Sequence, residues 1–596
     1  MCGIVGYIGK NNIKKQLLNS LKLLEYRGYD SSGVAVLQNE NMEVIKSEGK
    51  IENLEKLLTN SYGFGVGVGH TRWATHGKPT SINAHPHISP NKQWAVVHNG
   101  IIENYAELKQ NLLTKNEFAS QTDTEVIAHL LEQNFSGNSL NTLIKTCETL
   151  NGSFALAVAN KAESDTLYLA KRKSPLYIAQ NGEEIFVASD PICFATKATR
   201  YFVLNDNEFC KARVDNIKFY NKIGKAIEKE EVCLTQMEES VGKQNYSHFM
   251  LKEIEEVPSV LKRIVKTYTD TNVFKKIPQT IIKNINKVIF VGCGTAYHAS
   301  LLGASFVEGI AKIDARSYVA SEFRYMDPII NSKTLAVFVS QSGETADTLE
   351  ALNLAKNKGA ITVALTNVLY STIAKSADYV MPVCAGPEIA VASTKAYTAQ
   401  ITILNMFAKF LSNNLNFTSY NYLSEIEYLA NHIKMPSINE LEKVSNELNL
   451  EKMCFFIGRG LDSVTSEEAS LKLKEITYIN SQSYPAGELK HGFLALVEEG
   501  TFVFVIATQK YLLDKTLNAA HEARARGAKL VVATQLELPE NCKEDIFEVL
   551  PLQNFAEDLM PIASIGAFQL LSYLTSIKRG IDPDKPRNLA KSVTVE

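Results

Sequence analysis

Cys2 stands between the initiator methionine and Gly3. A small residue in second position favours removal of Met1. The α-amine then exposed on Cys2 titrates near pH 8, so a useful fraction is neutral and able to take the proton of its own thiol. Nucleophile and base would share one residue, although a cysteine here serves equally as a small buried apolar side chain. The run His70-Thr-Arg-Trp-Ala-Thr-His76 supplies a guanidinium suited to gripping a carboxylate through two hydrogen bonds, with an indole and a hydroxyl beside it. His98-Asn-Gly100 ends a β-rich run with an amide side chain and a glycine whose N–H can be approached closely, a pairing suited to an oxyanion hole. Thr122-Asp-Thr124 opens a helical pattern in which Asp123 can serve simply as an N-cap.

A second set of residues lies far along the chain. Val337-Phe-Val-Ser-Gln-Ser-Gly-Glu-Thr345 reads as an apolar strand, a hydroxyl-rich turn and the start of a helix. Backbone N–H groups at that helix start, with the hydroxyls of Ser340, Ser342 and Thr345, would cradle a phosphate without a lysine. A plain N-cap needs one such hydroxyl, not three plus Gln341. There is no Walker loop. The turn in Phe290-Val-Gly-Cys-Gly-Thr295 is not the dinucleotide fingerprint, because Tyr297 takes the place of its third glycine. In Leu471-Lys-Leu-Lys-Glu-Ile476, Lys472 falls one helical turn before Glu475 on the same face, which by spacing alone reads as a surface ion pair. His491 is of the type that shuttles protons near neutral pH. His85, His87 and His129 read as structural or surface residues, and the HTRWATH and AHPH spacings lack the acidic second-shell partners of a metal site. No metal and no organic cofactor is expected.

The elements that must position these residues divide the chain. Its 596 residues exceed a single domain. Roughly the first 240 alternate short β-rich runs with turns, as in Gly65-Val-Gly-Val-Gly69 and Trp94-Ala-Val-Val-His98, and a polar stretch near 228–244 reads as an edge or linker. From about Lys283 the pattern becomes apolar strand, glycine turn and long helical period, the mark of doubly wound parallel sheets. That part is repeated. Phe290-Val-Gly-Cys-Gly294 is matched by Phe456-Ile-Gly-Arg-Gly460, and Gly359-Ala360 by Gly527-Ala528, at nearly equal offsets. The second copy has Ala507-Thr-Gln-Lys510 where the first has its hydroxyl cluster, so one complete anion site per pair of repeats is expected. A formal net charge of −3 gives no electrostatic case for nucleic acid or an anionic membrane as partner. The apolar runs are strand-length, no secretory signal is legible, and nine scattered cysteines without a C-x-x-C pair suit a reducing, cytoplasmic setting.

Met-Cys-Gly-Ile-Val-Gly6, Tyr26-Arg-Gly-Tyr-Asp30, the HTRWATHG run to Gly77, Asn83-Ala-His-Pro-His87 and HNGIIEN to Asn104 together resemble the N-terminal-nucleophile glutaminase domain of class II amidotransferases. The repeat carrying SQSGET resembles sugar isomerase domains, which bind phosphosugars. With LKLKEI, the run Gly487-Glu-Leu-Lys-His-Gly492 and the stretch Pro586–Glu596, the order is similar, over nearly the whole chain, to the isomerizing glutamine-dependent hexose-phosphate aminotransferases. The resemblance implies a multidomain α/β protein: an αββα glutaminase domain at 2–240, a linker and leading helix at 241–282, two doubly wound sugar isomerase domains at 283–430 and 431–580, and a catalytic tail at 581–596. It implies L-glutamine and D-fructose 6-phosphate as substrates, D-glucosamine 6-phosphate and L-glutamate as products, channelled ammonia, and a homodimer in which a neighbour's loop completes the sugar site.

Carried over by position, Cys2 attacks the glutamine amide, Asn99 and Gly100 hold the oxyanion, Arg72 the carboxylate and Asp123 the ammonium. Thr75 and His76 line that pocket, Arg27 and Gly28 lie beside the nucleophile, and Trp73 gates the ammonia. Thr295, Ser340, Gln341, Ser342, Thr345, Val391 and Ser393 contact the phosphosugar. His491 opens the ring, Glu475 moves the proton between C1 and C2 with Lys472 beside it, and Lys591 forms the Schiff base. Ala296 departs from a common serine, which bears on sugar affinity. The long insertion of eukaryotic relatives is absent, so feedback by a nucleotide sugar is not expected. Rival readings are another phosphosugar acceptor, a deglycase, and a phosphosugar-sensing regulator; the last would lack Glu475, His491 and the front domain.

Overall fold

A computed structural model describes residues 2–59, 63–73, 76–113, 118–194, 196–233 and 242–593. The chain forms two compact units, one of residues 1–238 with 590–596, the other of residues 239–589.

The first unit holds two antiparallel sheets, of eight and seven strands. The strand Gly3–Gly9 pairs with Gly65–Arg72, and Trp94–Ile102 pairs with Gly152–Asn160 in the other sheet. Period-two alternation sorts their side chains between two cores. Ala95, Val97, Ala155 and Ala157 meet Ile4, Ile8, Ala35 and Val68 between the sheets. Trp94, Val96, Phe154, Leu156 and Val158 point the other way, onto Val126, Leu130 and Leu143 of the helices Glu125–Asn134 and Ser139–Thr149. On the opposite side, the helix Ile13–Leu24 turns Leu17, Leu21 and Leu24 inward against the first sheet, its start capped by Asn12 accepting from the N–H of Lys15. The layers are therefore helix, sheet, sheet, helix.

The second unit contains two five-stranded parallel sheets with the same strand order. One runs Asp314–Val319, Lys287–Gly292, Thr334–Ser340, Ile361–Thr366, Tyr379–Pro382; the other runs Asn480–Pro485, Met453–Gly458, Phe502–Ile506, Lys529–Thr534, Ile546–Pro551. Central strands such as Leu335–Val339 are apolar throughout because both faces are covered. Val288, Phe290 and Val337 of the first sheet and Phe456, Phe502 and Phe504 of the second reach one common core, while Ile289 and Phe338, or Phe455 and Val503, face separate outer clusters. The helices Lys395–Asn414, Leu461–Thr477 and Met560–Lys578 contribute to that common core. So do Phe249–Glu255 and Val257–Thr271, through Met250, Ile254 and Leu261, which makes much of the segment read as linker and leading helix part of the core. The stretch Glu557–Lys578 is long and apolar enough to cross a membrane, yet 89% of its apolar window is buried inside the unit.

Candidate functional sites

Cys2 is half-buried just before the strand Gly3–Gly9. Its sulfur accepts the Trp73 N–H at 3.3 Å, and its thiol faces the Trp73 carbonyl at 3.5 Å. Burial raises the thiol pKa, opposed by the Trp73 N–H and Arg72. The sulfur is thus a thiol that needs a base, not a standing thiolate. Asn99 Nδ2 donates to the Cys2 carbonyl at 3.0 Å. Gly100 follows with φ +133°, and a Cβ there would lie 2.0 Å from the Ser153 carbonyl, so only glycine fits.

Arg72 is buried, and its guanidinium donates to the carbonyl of His76 and to that of Lys78 at 3.3 Å, holding the 76–78 turn. Asp123 is buried and accepts the Ile102 N–H at 2.8 Å. The N-cap position of the helix it precedes is Thr124, whose side chain makes no capping bond, so Asp123 is not the N-cap that its sequence position allowed. Its charge is felt by both Cys2 and Arg72, which brings these three groups into one neighbourhood. His76 packs edge-on against Tyr105, and Trp73 against Tyr29. Arg27 is paired with Asp190 and donates to the Tyr26 hydroxyl at 3.0 Å. Thr75 lies outside the described residues. Four buried histidines, His70, His85, His87 and His98, line the interior behind Asn99, with His70 stacked on His85 at 4.1 Å. Among the described residues no three His, Cys, Asp or Glu side chains are grouped as for a metal ion.

In the second unit, the turn 341–345 leaves the carboxyl end of the strand Thr334–Ser340, next to the strand Lys287–Gly292, where the strand order reverses. Ligands of open α/β sheets bind at such a point. Ser340 Oγ accepts the Gly343 N–H at 3.0 Å and lies 3.1 Å from Thr345 Oγ1, while Ser342 Oγ accepts the Glu344 N–H at 3.2 Å. Glu344 in turn accepts from the N–H and hydroxyl of Thr372, at 2.9 and 2.7 Å, which ties the turn to the next helix. The loop carrying Val391 and Ser393 is held from behind. Glu388 accepts from the Ser393 hydroxyl and the Thr394 N–H, each at 3.0 Å, and the Asp584 carbonyl accepts the Val391 N–H at 3.1 Å.

Thr295 belongs to a different cluster from the hydroxyls of the turn. It donates to Glu468 at 3.1 Å and accepts from Lys472 Nζ at 2.9 Å. Lys472, fully buried, also donates to Glu475 at 2.6 Å, and His298 donates to Glu468 at 2.7 Å. Burial works against charge on Lys472, but Glu475, Glu468 and Glu388 outweigh it and raise its pKa. Lys472 is therefore a fixed cation beside Glu475, and the surface ion pair is excluded. His491 is exposed at the end of the 3-10 helix Ala486–His491. Lys591 lies in the terminal segment that groups with the first unit. Glu468, His298 and Glu388 were not singled out from sequence; Glu468 carried a signal, four residues before Lys472 on the same helix face.

The corresponding turn of the second repeat is already occupied. Asp462, which aligns with Ala296, accepts from the N–H of Thr508 at 2.7 Å, the hydroxyl of Thr508 at 2.5 Å and the N–H of Gln509 at 3.3 Å. Glu557 accepts the Lys510 N–H at 2.9 Å. Burial pushes the Asp462 carboxyl up to about 6 against those donors. The repeat's own carboxylates thus take the N–H groups that an incoming anion would use.

Comparison with known proteins covers both units. A family profile described as "Glutamine amidotransferase domain" matches residues 70–196, and one described as "SIS domain" matches twice, at 281–410 and 447–578. A curated protein of Clostridium tetani, named glutamine–fructose-6-phosphate aminotransferase [isomerizing], is 42% identical over 612 residues, covering 100% of both chains. One of the same name from Bacillus subtilis is 41% identical over 607 residues, again covering 100% of both. Among solved structures, the C-terminal domain of glucosamine-fructose-6-phosphate aminotransferase from Francisella tularensis is 33% identical, with a TM-score of 0.54, covering 58% of this chain and 100% of that one.

Proposed function

The chain belongs to the isomerizing glutamine–fructose-6-phosphate aminotransferase family, and from that premise we propose how its own residues carry the family's reaction. It converts D-fructose 6-phosphate and L-glutamine into D-glucosamine 6-phosphate and L-glutamate. The reading of the first site rests on one observation above others: the Asn99 amide donates to the carbonyl of Cys2 where the first strand begins, with Arg72 and Asp123 in electrostatic reach of the thiol. With Met1 removed, the α-amine of Cys2 takes the thiol proton as sulfur bonds to the amide carbon of glutamine. The carbonyl pair becomes an oxyanion held by Asn99 Nδ2–H and Gly100 N–H. Its collapse expels ammonia, which leaves with the amine's proton, and water cleaves the thioester to give glutamate. Arg72, Asp123, Thr75 and His76 hold the amino-acid end.

In the second unit the turn at Ser340, Gln341, Ser342 and Thr345 takes the phosphate, with Val391 and Ser393 against the sugar. His491 opens the ring. The Lys591 amine condenses with the C2 ketone, releasing water, and ammonia replaces it as the imine nitrogen. Glu475 then takes a proton from C1 and returns it to C2, while the proton of the C1 hydroxyl passes to the imine nitrogen, so the imine becomes an amine and C1 an aldehyde. Lys472 holds Glu475 in place as a cation, and Thr295 completes that cluster. The ammonia freed at Cys2 reaches the sugar without escaping to solvent, Trp73 being its gate. A homodimer that completes the sugar site through the loop bearing His491, and a cytoplasmic location, belong to the same reading.

A coupled assay with glutamine and fructose 6-phosphate, scoring glutamate and glucosamine 6-phosphate separately, tests it. Equal production of both is expected. Glutamate without amino sugar would overturn the acceptor assignment. Cys2→Ala abolishes glutamine-dependent synthesis while phosphosugar affinity stays unchanged; loss of both together would refute the division into two sites.

A further inference from the structure

His70 has no place in the scheme above, yet it is fully buried directly behind Asn99. It comes from the strand Gly65–Arg72 of one sheet, whereas Asn99 comes from the strand Trp94–Ile102 of the other. Its Nε2 lies 2.9 Å from the His98 carbonyl and 3.0 Å from Asn99 Oδ1. A carbonyl oxygen can only accept, so the His98 carbonyl requires the ring proton on Nε2. Nδ1 is then bare, and among the described residues it has no hydrogen-bond partner. With the proton on Nε2, the group facing it from Asn99 must be Oδ1, and the amide's other end, Nδ2, faces the Cys2 carbonyl at 3.0 Å. A flipped amide would set donor against donor at His70 and acceptor against acceptor at Cys2.

We propose that His70 is a positioning residue for glutamine hydrolysis, whose Nε2–H fixes the Asn99 amide with its N–H groups toward the oxyanion. The inference rests on the reading of Cys2 as the glutaminase nucleophile. Burial, and after it the charge on Arg72, pushes the ring pKa down to about 3, so His70 stays neutral and keeps this tautomer. Stacking on His85, whose Nδ1 accepts the His98 N–H at 3.3 Å, fixes the plane of the ring. The order of control runs from a backbone carbonyl through an imidazole to the amide that meets the developing charge.

The test compares His70→Leu, which removes the donor, with His70→Gln, whose amide N–H reaches about the Nε2 position. The expected result for His70→Leu is a fall in kcat for glutaminase of roughly a hundredfold, as for loss of an oxyanion donor. The KM for glutamine stays within about twofold, and His70→Gln recovers at least about tenfold of the loss. Glutamate γ-semialdehyde gives the readout that a merely structural role would not move. Its carbon bonds to the Cys2 sulfur, its carbonyl pair becomes an oxyanion, and the thiol proton passes to the amine. Its affinity falls in step with kcat, while affinity for L-glutamate is unchanged. Wild-type kcat in His70→Leu, or equal loss of affinity for glutamate and the semialdehyde, overturns the inference. Should His70→Leu fail to fold, His70→Asn, whose donor reaches only the Nδ1 side, replaces it, and equal activity of the Asn and Gln variants overturns it too. Absence of glutamine hydrolysis in the wild type would instead refute the parent reading and this one with it.

Discussion

Lys472 is a cation surrounded by carboxylates with almost no access to water, and its charge survives because Glu475, Glu468 and Glu388 more than compensate for burial. Removing one partner of a buried ion pair costs more than the pair contributed, commonly about 3 kcal/mol, since the other charge stays buried. Glu468→Gln should therefore lower the unfolding midpoint of the second unit and cut amino-sugar formation at least about tenfold, with glutaminase turnover intact. Parallel urea titrations and assays would show it, and an unchanged midpoint would contradict the account of the cluster. The Lys472–Glu475 pair is legible from its i, i+3 spacing. His298 is not, because it meets Glu468 across 170 positions of chain, where local periodicity carries no information.

At the scale of elements, the turn 341–345 depends on backbone that only glycine supplies. Gly343 has φ +66°, and a Cβ there would fall 2.0 Å from Ser371 Oγ and 2.8 Å from Thr366 Oγ1. Gly343→Ala should raise the KM for fructose 6-phosphate by about tenfold or more and destabilise the unit by about 1–3 kcal/mol, leaving the KM for glutamine unmoved. An unaltered KM for the sugar phosphate would separate this turn from its proposed ligand. The duplication of the strand–turn–helix pattern is legible because glycines and apolar runs recur at nearly equal offsets, and the two sheets do share one strand order. Why only one copy keeps an open turn is half legible. The missing hydroxyls show in Ala507-Thr-Gln-Lys510, but that Asp462 and Glu557 fill the vacancy required knowing which side chains fold back. In the first unit the alternation of Trp94 to His98 marks a strand, but it does not say that both faces are buried. It therefore conceals that His70 and Asn99 approach each other from different sheets.

Across the whole molecule, buried ionisable groups set the response to pH. Burial holds His70 at about 3, and His85, His87 and His98 below the usual imidazole range. An unfolded chain takes up protons at these positions below about pH 6.5, whereas the folded unit does not. The stability they give is complete above that pH and is lost as pH falls toward their folded values, at about 1.4 kcal/mol per pH unit for each histidine. The first unit's thermal midpoint should thus drop steeply between pH 7 and about pH 5, and calorimetry would record it. A flat midpoint would mean that these rings are charged or solvated in the folded state.

The helix Met560–Lys578 packs on Leu461–Thr477, Ile438–Leu448, Lys395–Asn414 and Phe249–Glu255, elements drawn from along the whole second unit. During synthesis all of these emerge before it. Until ribosomes deliver this last apolar segment, each sheet presents part of an unfinished core to solvent, and neither repeat can close over its inner face. The first unit's two-sheet core draws on residues complete by Phe219, so it can settle while the rest is still being made. Chains truncated before residue 560 should accordingly yield a folded glutaminase half attached to a back half that is prey to chaperones and proteases.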